Sequence, residues 1–353
     1  MTPVLFQPGP ISHASNGIGR LTDAVRCEVT EVRNGSYELE LDYPITGVHF
    51  YDLKRDYVIY VTHDETKVPQ PFALYARSAP IDGMVTFYAH HISYDLDRIT
   101  VMPFTAASCA EALTSIKSHA ANSCNFVFET DITSTASMTV SVPTYARKAL
   151  GGMQGSVLDT YGGEYEWDDR TVHLWASRGR DTGYQIRYGK NLLDIKQDID
   201  TSQTYNSVTP YWFKEVDGVD TLVVLPEMAI DADGTFGDRG HILNLTEKFE
   251  TQPTVEQLRA EARKSLPSSG TTAPNETIEL DFIQLWQTDE YKHIGYELQT
   301  MRLCDTVDVY YTRLDIEAPG VKIVKTVYDS LRDIYIGMTL GELKTTLNEL
   351  ISR

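Results

Sequence analysis

Between residues 27 and 43 apolar and polar side chains alternate with a period of two. Cys27, Val29 and Val32 are interleaved with Glu28, Thr30 and Glu31, then Tyr37, Leu39, Leu41 and Tyr43 with Glu38, Glu40 and Asp42. That period belongs to a strand with one wet face. Asn34-Gly35 divides the two runs, and a type I′ turn needs φ > 0 at both central residues, so the pair predicts a tight hairpin. Further strands are predicted at 57–62, 72–78 and 84–90, closely spaced and separated by Pro and Gly. Such spacing suits a small barrel or sandwich, and 1–100 reads as a first β domain.

The period then changes. Ser108 and Glu111 form an S-x-x-E capping box ahead of Leu113, Ile116 and Ala120, which fall at helical spacing. A second helix is predicted over 145–150, stopped by Gly151-Gly152, and Tyr165, Trp167, Val172 and Leu174 alternate around a turn at Asp168-Asp169. These features make 101–190 a small α/β domain. Alternation resumes from Leu192 through 207–213 and 221–225, and Thr254 with Gln257 caps a helix running to about Leu266. Residues 267–274, rich in Pro, Ser, Gly and Thr, read as a linker. Strands at 277–285, 306–314 and 321–328 follow, and 340–350 reads as helical. The expected class is a β-rich, multidomain α+β chain. Its second β-barrel domain covers 191–318, with a helical insertion near 248–275, and 319–353 supplies a C-terminal strand and helix.

Composition excludes several functions. Of the 353 residues 42% are hydrophobic, a globular proportion, while 31 Lys and Arg against 50 Asp and Glu leave a net charge of −19. Cations are scattered, so no basic stripe can neutralise phosphates and tight nucleic-acid binding is not expected. Residues 1–10 lack a positive n-region and no run is long enough to span a bilayer, so neither a secretory leader nor a membrane anchor is expected. Cys27, Cys109, Cys124 and Cys304 are far apart without a C-x-x-C pattern, which predicts buried free thiols and synthesis in a reducing cytoplasm.

Candidate catalytic and ligand motifs all depart from the spacing that their chemistry needs. The run from Asp231 through Asp233-Gly234 to Asp238 has its glycine in the wrong place for a calcium loop, and Ile242 stands where the bidentate Glu belongs. His90 and His91 are adjacent in a strand and point to opposite faces, one to the core and one to the surface, so they do not chelate one ion. His63-Asp64-Glu65 lacks the second His of a zincin, Gly155-Ser156 lacks the second Gly of a nucleophile elbow, and Gly151-Gly152 lacks the Lys-Ser or Lys-Thr of a phosphate loop. A triad assembled from distant residues leaves no such trace. Catalytic residues, cofactors and metals are therefore none.

Two groups of runs carry a resemblance. One is Gly163-Glu164-Tyr165 to Leu174, Arg178-Gly179-Arg180-Asp181, then Tyr188-Gly189-Lys190-Asn191-Leu192 and Tyr205-Asn206-Ser207-Val208-Thr209-Pro210. The other is Asp305-Thr306-Val307-Asp308-Val309, then Tyr328-Asp329-Ser330-Leu331 and Leu340-Gly341. In this order they resemble the phage minor structural protein family, also called prophage endopeptidase tail proteins, over nearly the whole chain. The resemblance implies a baseplate hub of the contractile-phage kind: a homotrimer in which two barrel-like domains per chain form a pseudo-sixfold ring closing the tail tube. It implies a virion location, a distal tail or tube protein docked above and a tip or spike protein below. Gly163, Glu164, Tyr188, Gly189, Lys190, Asn191, Asp305, Thr306, Val307, Tyr328, Asp329 and Leu331 are carried over as fold markers rather than as a site.

The family label contains an enzyme, but members bearing one continue into a C-terminal extension, and this sequence stops at Arg353. The reading is therefore a non-enzymatic structural protein. Two alternatives stand beside it: a tail-associated peptidase or murein hydrolase, and a host-surface adhesin using the 21 Tyr and 4 Trp as sugar-stacking platforms.

Overall fold

The computed structural model describes residues 2–9, 16–78, 82–187, 192–200, 204–216, 218–231, 239–249, 251–266, 275–282, 301–311 and 316–341. The chain divides into two compact units, Met1–Lys196 with Thr277–Arg353, and Gln197–Glu276. The fold is β-rich, with several sheets and a few short helices. Among the described residues none of the sheets closes on itself.

In the first unit the alternation at 27–43 forms the predicted hairpin. Arg26–Val32 and Tyr37–Pro44 pair antiparallel with Val29 opposite Leu39, and Cys27, Val29, Leu39 and Leu41 are buried. The sheet continues antiparallel through Met84–His91, Pro69–Arg77, Val58–Thr62 and Val4–Phe6. On its other side the hairpin pairs with Ile316–Asp329, which also pairs with Ile334–Gly341. The C-terminal part of the sequence thus completes a sheet begun near the N-terminus. The early part of Ile316–Asp329 instead pairs with Thr306–Tyr311, itself parallel to Asp181–Arg187. Register shifts along this long strand let it serve both sets of partners.

The segment after residue 100 packs into the same core. Ser108 caps the helix Cys109–Ser118 by accepting from the Glu111 N–H, but the Glu111 carboxylate reaches back to the Ala107 N–H, one residue before the expected partner. Leu113 and Ile116 on this helix join Phe126, Tyr165, Trp167 and Leu174 in one apolar cluster with Val29, Leu39 and Phe87 of the large sheet. A smaller cluster, including Tyr184, Ile186, Val307, Val309, Ile323 and Tyr328, fills the space beneath the C-terminal strands.

In the second unit Ser207–Val216 is central, flanked by Val219–Val224, Ile230–Asp231 and Gly240–Asn244. The helix Val255–Lys264 covers one face, its Thr254–Gln257 capping box complete on both sides as the sequence predicts.

Three expectations change. The hairpin turn is not type I′: Asn34 has φ 53° while Gly35 is not among the positive-φ residues, and the Gly35 N–H bonds back to the Val32 carbonyl at 2.9 Å. Tertiary contacts of Asn34, described below, select this geometry. The turn between Trp167 and Val172 centres on Asp169, at φ 50°, one residue later than expected. Leu340 and Gly341 end the strand Ile334–Gly341 rather than open a helix, because pairing to Ile323 and Thr277 keeps the backbone extended. Residues 342–350, the linker at 267–274 and the Asp-Gly loop beyond Asp231 lie outside the described residues.

Gly35 has a packing reason. A Cβ built there meets Val32 Cγ1 at 2.7 Å, closer than side-chain atoms tolerate. Gly35→Val is therefore expected to destabilise by about 1–3 kcal/mol through overpacking. Urea unfolding of the variant checks this, and Val32→Ala added to it should recover part of the loss.

Candidate functional site

In the strand Arg26–Val32 the inward positions are Cys27, Val29 and Glu31, so the third residue in core register is a carboxylate, 5% exposed. A buried anion needs a partner. Arg178 supplies it, its Nη1 lying 2.8 Å from Glu31 Oε1 and donating also to the Tyr165 carbonyl at 3.0 Å. Burial opposes the charge on Arg178, yet Glu31 beside it raises the guanidinium above its ordinary value, so Arg178 stays charged.

Glu164 forms a second buried centre 14 residues earlier in the chain. Lys322 Nζ lies 2.8 and 2.9 Å from its two oxygens, the Arg178 backbone N–H donates at 2.7 Å, and Arg33 Nη1 approaches to 3.4 Å. Next to it the Asn34 side chain acts as a short piece of strand. Its Nδ2 donates to the Gly163 carbonyl at 3.0 Å and its Oδ1 accepts from the Tyr165 N–H at 2.8 Å. This grip holds Asn34 at positive φ, and Gly163, at φ 99°, leaves room where a Cβ would strike the Trp175 carbonyl at 2.7 Å.

The loop after Arg178 is closed by Asp305. Its Oδ1 accepts from the Arg180 N–H at 2.8 Å and its Oδ2 from the Arg302 N–H at 2.9 Å. Thr306 donates its N–H to the Arg180 carbonyl, and Val307 enters the smaller core beside Tyr328. Asp329 caps a tight turn by accepting from the Leu331 and Arg332 N–H groups, while the Tyr328 hydroxyl donates to Asp333 at 2.9 Å. Leu331 packs at the edge of the main core. Glu164 therefore meets Arg178, Gly163 meets Asn34, Asp305 and Thr306 meet Arg180, and Tyr328, Asp329 and Leu331 gather at a third turn. Tyr188, Gly189, Lys190 and Asn191 lie outside the described residues. Motifs mark neither Glu31, Arg33 nor Lys322, and mark Asn34 only as a turn residue, although a Glu in core register within an apolar alternation is a legible signal.

Beside the Arg178 loop lies a hollow of about 450 Å³ lined by His63, Asp64, Glu166, Asp168, Trp175 and Arg302, among others. Several of its polar groups engage one another: Glu166 accepts from the Trp175 indole N–H at 2.6 Å, and Asp168 from Gln70 Nε2 at 2.8 Å. Among the described residues no group of three His, Cys, Asp or Glu side chains is placed to hold a metal ion. Cys27, Cys109 and Cys304 are buried free thiols and Cys124 is half-buried. Burial pushes the Cys27 and Cys304 thiols up to about 12, which leaves them protonated and unreactive. No helix among the described residues is long and apolar enough to cross a membrane.

His91 is the core histidine, fully buried and stacked on Tyr37 at 4.5 Å. Its Nδ1 accepts from the Ser93 N–H, which leaves Nε2 as donor to Gln70 Oε1 at 3.3 Å. His90 is only half-exposed, held between the rings of Tyr75 and Tyr94. Burial, then the charge of Arg147, lowers His90 to about 4, and burial lowers His91 well below its ordinary value of 6.5. Folded values below the unfolded one mean that the unfolded chain takes up these protons first. Stability contributed by the neutral rings is thus complete above pH 6.5 and falls as pH drops from there, toward about 4 for His90. Urea midpoints between pH 7 and pH 5 should fall, and His91→Asn, which keeps an acceptor near Ser93, should flatten that slope.

No family model matches the chain, and no curated protein matches it in sequence. Solved structures do match in fold. Prophage tail protein gp18 from Listeria monocytogenes EGD-e aligns over 100% of this chain and 98% of its own, at 17% identity and a TM-score of 0.65. The 43 kDa tail protein of prophage MuSo2 from Shewanella oneidensis covers 97% of both chains at 12% identity and 0.60. A tail protein from Neisseria meningitidis MC58 covers 99% and 98% at 10% identity and 0.58. The chain has the fold of these prophage tail proteins from end to end.

Proposed function

We propose that this chain is a structural component of a phage or prophage tail, a hub of three copies that closes the tail tube and connects it to the tip. The observation that carries the reading is the fold likeness to three prophage tail proteins, each over at least 97% of this chain. Agreement along the whole length speaks for a shared architecture rather than a shared module. In this reading 1–100 and 191–318 supply the two barrel-like domains, 101–190 lies between them and 319–353 closes the chain. Its partners are itself, a tube or distal tail protein above and a tip or spike protein below, in the virion tail after synthesis in the host cytoplasm.

The buried polar groups fit a structural role. Glu31 with Arg178, Glu164 with Lys322 and Arg33, and Asp305 with two backbone N–H groups tie strands distant in sequence. Groups so engaged hold geometry, and no catalytic step is assigned to them. Imaging of tail particles with this subunit labelled tests the reading. A ring of three copies at the end of the tube is expected; six copies per ring, or label absent from the tail, overturns it.

A further inference from the structure

The sheet of the unit Gln197–Glu276 buries one face and leaves the other bare. Val208, Trp212 and Val223 point toward Leu258 and Ala262 of the covering helix. The opposite face carries Tyr211, Phe213 and Glu215, which register across from Val224, Leu222 and Asp220, with Ile242 across from Thr209 on the other side. Phe213 is 45% exposed, Leu222 59%, Val224 45% and Ile242 72%. Isolated exposed apolar side chains are ordinary, but neighbours on one sheet face mark a docking surface. Val219–Val224 is also an edge strand, hydrogen-bonded on one side only among the described residues, which is a template for a further strand.

Charge indicates what docks there. The unit holds 6 Lys and Arg against 14 Asp and Glu, a net charge of 6 − 14 = −8, so two copies apposed through this face repel each other. Glu215 and Asp220 stand directly opposite one another on the bare face. Like charges so placed are unfavourable, and neither pairs with a Lys or Arg among the described residues. Lys214, the cation next to Glu215, donates its Nζ to the Phe249 carbonyl instead. The apolar strip therefore ends in an uncompensated pair of carboxylates.

We propose that this face docks an extended segment of a different protein, which adds a strand to the edge Val219–Val224. Its alternating apolar side chains lie toward Leu222 and Val224, and a Lys or Arg at its end sits over Glu215 and Asp220. The assignment stands on this unit's own surface and not on the tail reading.

The probe is a short fluorescein-labelled peptide of alternating Val and Thr ending in Lys-Lys, with a twin ending in Glu-Glu, titrated against the full chain and read by anisotropy. The Lys-ended peptide is expected to bind roughly tenfold tighter at low salt, with the difference shrinking as salt screens it. Leu222→Asp should abolish binding while leaving the circular dichroism spectrum unchanged, and Glu215→Lys combined with Asp220→Lys should invert the preference between peptides. Equal binding of the twins, no binding, or binding that survives Leu222→Asp overturns the proposal. So does a wild-type chain whose self-association is lost with Leu222→Asp, because the face then belongs to a second copy.

Discussion

Arg178→Met is expected to lower the unfolding free energy by about 3–5 kcal/mol, the cost of leaving a buried carboxylate without its partner. Glu31 and Arg178 have side chains only 7% and 12% exposed, so loss of the guanidinium leaves the carboxylate largely out of water. The substitution also removes a donor to the Tyr165 carbonyl. Charge, not volume, is the cause, and the double variant Glu31→Leu with Arg178→Met separates the two. With both charges gone the desolvation penalty disappears, and the double variant should be more stable than Arg178→Met alone. Urea unfolding of the wild type, both single variants and the double variant completes the cycle. A single variant costing under about 1 kcal/mol, the range of exposed pairs, would show that the buried pair does not hold these strands together.

Gly179→Ala should have an effect of comparable size for a different reason. Gly179 sits at φ 84°, and a Cβ there would lie 2.2 Å from the Cys304 carbonyl oxygen and 2.6 Å from the Asp305 nitrogen. Both are backbone atoms, which cannot rotate away as a side chain would. Left-handed backbone costs a non-glycine residue roughly 1–3 kcal/mol, and displacing packed atoms adds roughly 1–3 kcal/mol, giving about 4 kcal/mol in all. Gly183 provides the control: its φ is 59°, but nothing lies within 4 Å of the added Cβ. Gly183→Ala should therefore show the conformational cost alone. Equal losses at the two positions would refute the close approach at Gly179. The same approach explains why Arg178-Gly179-Arg180 stands as a unit: Arg178 pairs inward, Gly179 lets the chains touch, and the Arg180 N–H reaches Asp305.

Local chemistry made much of the fold legible. Alternation placed Cys27, Val29, Leu39 and Leu41 on one face because a strand has no other way to sort side chains. Ser108 and Thr254 announced their helices because a capping side chain acts within its own turn. The type of turn at Asn34 was not legible, since its amide is held by Gly163 and Tyr165, more than 100 residues away. Nor was Leu340 as strand, because its extended form depends on a ladder to Ile323.

The same division runs through the candidate site. By itself the sequence determined a β-rich, acidic chain with its helix starts at Ser108 and Thr254 marked, since these follow from side-chain period, composition and contacts within a few residues, whereas Glu31 stood there among the polar positions of its strand. Which cation answers that carboxylate, why Glu164 is buried with Lys322 and Arg33, and which face of the second unit stays bare were decided by tertiary structure alone. The reason is physical: buried charges are matched by proximity in space, and an alternating strand states that it has two faces but not what each will meet.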